Sequence, residues 1–178
     1  MGGLNGSTNN RISTLNFRLF PYGYEVITSL GGQPLASGHA ILNCSVPLFA
    51  SSILSYFSND EDTRPTVEAS MPSSQDASAI EYVFDSHDGN RLAVAIANPF
   101  PTPASFRLTV VGAVNATVFV STAAGTVTTF FLDKLVRLPG NATGKMYIDD
   151  PYNGRAIYSI GFKYFGTTFS SVVPNALR

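Results

Sequence analysis

Hydrophobic and polar positions alternate with a period of two along most of this chain, the spacing of strands that bury one face and wet the other. Segments rich in β-branched and aromatic residues recur near 15–20, 24–29, 38–44, 49–57, 66–71 and 80–85. They continue near 92–97, 105–111, 116–122, 126–130, 144–148, 156–164 and 168–173. The alternation is strict in Phe106-Arg107-Leu108-Thr109-Val110 and looser in Lys145-Met146-Tyr147-Ile148-Asp149. Leu92-Ala93-Val94-Ala95-Ile96-Ala97 is apolar throughout, which predicts a central strand covered on both faces and stopped by Asn98-Pro99.

Turn chemistry separates the segments: Asp88-Gly89-Asn90, Pro139-Gly140-Asn141 and Tyr152-Asn153-Gly154 carry residues that tolerate positive φ. Phe131, Leu135 and Leu138 fall at helical spacing before Pro139, which predicts one or two helical turns near 130–136. The pattern therefore predicts an all-β fold, a sandwich of about 10 to 13 short strands with one short helix. Residues 1–10 are polar and without periodicity, so 1–13 are expected to be a flexible N-terminal segment and 14–178 a single domain.

An internal echo runs through the chain. Residues 38–72 and 144–174 both contain a strand started by Gly, an Ala-containing apolar strand, a Tyr-Phe pair and a strand ending in Pro. The cores are Ala50-Ser51-Ser52-Ile53-Leu54-Ser55-Tyr56-Phe57 and Ala156-Ile157-Tyr158-Ser159-Ile160-Gly161-Phe162-Lys163-Tyr164-Phe165. Two unequal copies of one strand unit suit a pseudo-symmetric sandwich.

Composition sharpens this picture. Only 13% of the 178 residues are charged and 44% are hydrophobic, enough apolar material for one domain-sized core. A net charge of −1 gives no electrostatic reason to expect nucleic acid or an anionic membrane as partner. Nine acids and three bases lie in residues 1–89, three acids and eight bases in 90–178, an asymmetry that cancels if the halves interleave. Cys44 is the one cysteine, so it has no internal disulfide partner, and its apolar surroundings predict a small core residue. No apolar run is long enough for a membrane helix, and the first residues do not form a secretory signal.

In Leu92 to Pro99, then 104–111, then Thr129-Phe130-Phe131-Leu132-Asp133-Lys134-Leu135, the chain resembles a bacterial extracellular repeat of uncharacterised role. The likeness continues through 144–148, Tyr158-Ser159-Ile160-Gly161-Phe162 and Phe169-Ser170-Ser171-Val172-Val173-Pro174, covering about three quarters of the chain. Such repeats occur in large secreted or surface proteins. The resemblance implies an immunoglobulin-like or related sandwich, secreted or on a bacterial cell surface, and brings no catalytic residues. The acidic stretch 58–64 and the weak turn glycines between Val111 and Val127 depart from it.

Candidate chemistry is sparse. Nucleophilic catalysis needs an imidazole beside the nucleophile, and His39 falls inside an expected strand while His87 falls in a turn. No nucleophile elbow, zinc-ligand spacing, Walker loop or dinucleotide fingerprint occurs, so no catalytic, cofactor or metal site is assigned. Glu68, Glu81, Asp85 and Asp149 are the acids from which a glycoside hydrolase pair would have to be drawn. Oxygen-rich loops at 58–62, 85–90 and 149–154 suit structural calcium by composition but lack its ligand spacing. Tyr22 and Tyr24 in Phe20-Pro21-Tyr22-Gly23-Tyr24, with Tyr152 in a Gly-rich turn, are the candidate ligand-facing aromatics.

Three functions compete on this reading: a structural or adhesive surface module that binds copies of itself or neighbouring repeats, a carbohydrate-binding module whose partner is a glycan, and a glycoside hydrolase. The first is preferred, because no active site is assembled by any motif. Self-association through strand edges or the polar N-terminal segment is expected with it.

Overall fold

The computed structural model describes residues 16–27, 39–57, 64–74 and 76–177. The chain divides into two compact units, Met1–Ser37 and Gly38–Arg178. In the first, the described residues 16–27 hold no strand, although strands were expected near 15–20 and 24–29. Their one turn is closed by the Gly23 N–H donating to the Phe20 carbonyl at 2.8 Å, with Tyr22 at a φ of 62°. Alternation alone does not make a strand: the backbone must find a ladder, and none forms here among the described residues. The expected N-terminal segment 1–13 lies outside the described residues.

The second unit is built of antiparallel strands. They are β1 (Ser51–Tyr56), β2 (Val67–Pro72), β3 (Ala79–Asp85), β4 (Arg91–Asn98), β5 (Ala104–Gly112) and β6 (Ala116–Thr122). Then come β7 (Thr126–Phe131), the single-turn helix α1 (Leu132–Leu135), β8 (Thr143–Asp149), β9 (Tyr158–Phe165), β10 (Thr168–Val172) and β11 (Asn175–Leu177). A five-stranded sheet runs β11-β3-β8-β5-β6, a four-stranded sheet β10-β9-β4-β7, and β1-β2 form a hairpin of their own. The fold is an all-β sandwich, and its short helix lies within the predicted range. Over the described residues 39–44 the strand expected near 38–44 does not form, and Cys44, expected in the core, is exposed in that irregular stretch, as is His39.

Between the two sheets lies one core. Tyr82 and Phe84 of β3, Phe106, Leu108 and Val110 of β5, and Met146 and Ile148 of β8 meet Leu92, Val94 and Ile96 of β4. Strand β4 is central, but only one of its faces is fully buried: Leu92, Val94, Ile96 and Asn98 point inward while Ala93, Ala95 and Ala97 are half-buried outside. The uniform apolar run thus conceals an alternation of large and small side chains rather than cover on both faces.

Two local devices fix this packing. The Tyr82 ring lies over β9 where Gly161 leaves room, since a Cβ there would stand 2.7 Å from Tyr82 Cε1. Ser159 Oγ donates to the Ala95 carbonyl at 2.9 Å, so the Tyr82 hydroxyl, 2.9 Å away, donates to Ser159, and burial pushes the tyrosine pKa well up. Gly161→Ala is expected to cost about 1–3 kcal/mol by displacing a ring that has no free space, which a thermal melt against wild type measures.

Asn98 explains the Asn-Pro stop. Its buried Nδ2 donates to the carbonyls of Thr102 at 2.9 Å, Thr122 at 3.1 Å and Ala123 at 3.2 Å, and its Oδ1 accepts the Phe100 N–H at 3.3 Å. One side chain thereby ties the end of β4 to the loop after it and to the β6–β7 turn.

Candidate binding face

The two sheets differ in what they turn outward. On the five-stranded sheet, outward positions form ion pairs across the ladder: Arg107 grips Asp149 through two bonds of 3.0 and 2.6 Å, and Lys145 holds Glu81 at 3.0 Å. The Glu81 carboxyl also accepts from Asn175, and its pKa is lowered chiefly by the Lys145 bond. That lysine is raised in turn by Glu81, and Arg107 by Asp149. Val83, Val111 and Phe119 are exposed beside these pairs, so the face is mixed, with acids from one half of the chain meeting bases from the other at Glu81 and Lys145.

The four-stranded sheet differs. Its outward residues on β9 are Tyr158, Ile160, Phe162 and Tyr164, while the small Ser159 and Gly161 face inward beneath Tyr82. Register sets Ala93 between Phe131 of β7 and Phe162, Ala95 between Thr129 and Ile160, and Ala97 between Val127 and Tyr158. Three methyl groups thus floor a trough whose walls are the larger side chains of the flanking strands. With strands about 4.8 Å apart and residues about 3.4 Å apart, the flanking backbones stand about 10 Å apart along a floor about 14 Å long, and at the Ala93 end Phe131 and Tyr164 bridge them ring to ring.

Both ends of the trough are closed by an arginine on an aromatic ring. At one end the Arg91 guanidinium lies 3.8 Å from the Phe131 ring centre and pairs with Asp133 at 3.0 Å. Phe131 meets Tyr164 edge-on at 5.3 Å, and Phe169 of β10 continues the cluster at 5.5 Å from Tyr164 and 5.9 Å from Phe162. At the other end Arg155 lies 5.3 Å from the Phe100 ring, which stands 6.3 Å from Tyr158. Burial, then a bond to Asp76, pushes the Tyr158 phenol pKa up.

No protein-family profile, curated protein or solved structure matches the chain. Geometry must therefore carry the functional reading.

The aromatics singled out in the sequence are not residues of β4, β7, β9 or β10. Tyr22 and Tyr24 lie in the first unit and are exposed; Tyr152 is exposed in the second, 6.2 Å from Phe119 of β6 with the rings tilted by 32°. Sequence reasoning did not reach the trough residues, although the order large-small-large in 158–164 and the alanines of β4 are its visible trace.

The candidate acids are each engaged apart. Asp85 binds the His87 ring at 2.6 Å, Glu68 accepts from Ser55 at 2.7 Å, and Glu81 and Asp149 are held by their cations. Asp85, Ser86 and His87 do not form a nucleophilic triad, because the Ser86 hydroxyl exchanges hydrogen bonds with the backbone of Ala142 at 3.1 and 2.8 Å. A cavity of about 230 Å³ near them is lined by Phe84, Leu92, Leu132 and Leu138, with Arg91 and Asp133 paired at its rim.

Of the oxygen-rich loops, 58–62 lies outside the described residues. Asp150, buried in the third, accepts the N–H groups of Tyr152 and Asn153 at 3.0 Å each and so shapes its own turn. Among the described residues no three of His, Cys, Asp and Glu gather as a metal site, and no helix is long and apolar enough to cross a membrane.

Proposed function

We propose that this chain is a non-catalytic structural or adhesive module of a bacterial cell surface or secreted protein, working by contact between its four-stranded sheet and another copy of itself. The observation that carries this reading is a cluster on one outer face: the four-stranded sheet turns the half-buried Tyr158, Ile160, Phe162, Tyr164, Phe131 and Phe169 outward around an alanine floor. The other outer face mixes ion pairs with the separate apolar side chains of Val83, Val111 and Phe119. An apolar patch rimmed by charged residues is the usual mark of an interaction surface. The four strands, of eight, eight, six and five residues, span about 440 Å² on each partner, so a face-to-face pair buries about 900 Å², in the range of weak association. The contact is therefore weak, as suits modules held together in an array.

Sedimentation velocity across a hundredfold concentration range tests it. The wild-type chain is expected to associate, and Phe162→Lys with Tyr164→Lys, both on the partly open face, to remain monomeric at every concentration. Equal behaviour of the two would remove the face from the mechanism.

A carbohydrate-binding module is the second reading, favoured by Tyr158 and Tyr164 in the trough wall. A sugar platform requires flat rings open to solvent, whereas Phe131, Tyr164 and Phe169 pack edge-on or tilted against one another. Binding of the wild-type chain on a glycan array, lost in Tyr158→Ala, would favour it over self-contact.

A further inference from the structure

We propose that the free edge of β6 is a self-pairing edge, at which two copies join β6 to β6 antiparallel and run their five-stranded sheets into one. The two sheets end in β11, β6, β10 and β7, and all but β6 carry a device against edge pairing. Strand β11 is three residues long and follows Pro174. Strand β10 has β2 alongside it. Strand β7 runs straight into α1, where Asp133 pairs with Arg91. By contrast, β6 offers seven residues, Ala116-Thr117-Val118-Phe119-Val120-Ser121-Thr122, without a charge or a proline. Among the described residues only β5 pairs with it, and the segments that lead in and out of it, 113–115 and 123–125, are both described.

The Ser121 carbonyl accepts the Thr128 hydroxyl of β7 at 3.3 Å, and β7 belongs to the other sheet. Backbone groups alternate sides along a strand, so Thr117, Phe119 and Ser121 turn theirs to the open edge, while those of Val118 and Val120 point to Leu108 and Phe106 of β5. A strand joins an edge only if its own edge is free, and β6 of a second copy meets that condition by the same observation. Antiparallel pairing about a two-fold axis at Phe119 sets that residue against the partner's Phe119, Val118 against the partner's Val120, and Thr117 against the partner's Ser121. Val118 and Val120 are inward, so they extend one core toward the other, while the outward positions match ring with ring and hydroxyl with hydroxyl. Phe119, 52% exposed in the single chain, gains cover.

The edge shares no strand with the aromatic face, and either contact can fail without the other. Each contact is two-fold, so the two can alternate from copy to copy and extend an array that neither would extend alone. Edge pairing rests on the backbone bonds of Thr117, Phe119 and Ser121, each worth little net in water. It is therefore weaker than the face contact and fills at millimolar protein, above the range in which sedimentation reads the face.

The test uses the face-blocked full chain, Phe162→Lys with Tyr164→Lys, so that the result does not depend on the face contact. Amide hydrogen exchange of the isotope-labelled protein is compared between a dilute and a millimolar sample. Exchange at Thr117, Phe119 and Ser121 is expected to slow about tenfold or more on concentration, with Val118 and Val120 unchanged. Adding Phe119→Lys sets like charges against each other across the axis, and adding Thr117→Pro removes an edge donor without touching the β5 ladder. Each is expected to abolish the change, and the exposed Phe119→Lys to leave the melt where it was. Equal exchange at both concentrations, or slowing that survives Phe119→Lys, would overturn the proposal. So would protection of the three edge amides already in the dilute sample, because the chain's own residues would then fill the edge.

Discussion

Asn98→Asp is expected to destabilise the sandwich by about 4 kcal/mol or more, a loss comparable with the whole stability of many domains. Asn98 is fully buried, and its amide nitrogen faces three backbone carbonyl oxygens within 3.2 Å. A carboxylate of the same shape offers no donor, so it leaves those three carbonyls without their partner and sets its own negative charge against them, while Arg155, which shares the Thr102 carbonyl, is already paired with Asp150. Asn98→Ala removes the donors without adding the charge and is expected to cost about 2–3 kcal/mol, or about 10 °C in melting temperature for a domain of this size. The aspartate variant also carries a pH signature. Burial beside carbonyls raises its folded-state pKa above the unfolded value, so the variant is more stable at pH 4 than at pH 8, losing stability as pH rises through the folded pKa. Chemical denaturation of both variants at the two pH values measures each effect. A loss under 1 kcal/mol for Asn98→Asp would mean that the hub is not what holds the end of β4.

Ile96→Asp is the second large effect. Ile96 is fully buried on the inward face of a strand with neighbours on both sides, opposite the five-stranded sheet. An ionised aspartate there has neither a partner nor water, and the substitution also removes a packed aliphatic side chain, so the expected cost again exceeds about 4 kcal/mol. Soluble expression is expected to fail or the cooperative melt to disappear. By contrast, Ala95→Asp, one residue away on the outward face, is expected to leave the fold intact, because its half-buried position borders solvent. The pair separates the effect of side from the effect of position along the strand, and similar melts for the two variants would contradict the inward and outward assignment of β4.

The pairing of large inside with small outside on β4 marks where sequence reading succeeded and where it stopped. Strand 105–111 was legible because Phe106-Arg107-Leu108-Thr109-Val110 alternates strictly, and 116–122 because of its β-branched and aromatic content, and the structure places β5 and β6 there. The same rule failed at 24–29 and 38–44: propensity and alternation were present, but among the described residues no ladder forms over 24–27 or 39–44. Pairing is a long-range property that local pattern does not encode. Strand β11, three residues long, was too short to carry any period.

At the site, period two was visible in 158–164 but its phase was not. The ordinary expectation turns Tyr158, Ile160, Phe162 and Tyr164 inward, whereas the Tyr82 ring fills the space over Gly161 and reverses the strand, sending the larger side chains out. That reversal depends on a residue more than seventy positions away, so the binding face was hidden from a reading of β9 alone. Tyr22, Tyr24 and Tyr152 were conspicuous for their turns, which are local, while the trough is assembled from β4, β7, β9 and β10.

The most direct test of that face is a set of amide spectra of the isotope-labelled chain recorded over a hundredfold range of concentration. Self-contact through the trough predicts progressive shifts at 91–97, 127–131 and 158–164, with the outward residues Lys145, Tyr147 and Arg107 of the other sheet unmoved. Spectra that are identical at every concentration, or changes that spare β4, β7 and β9, would contradict it.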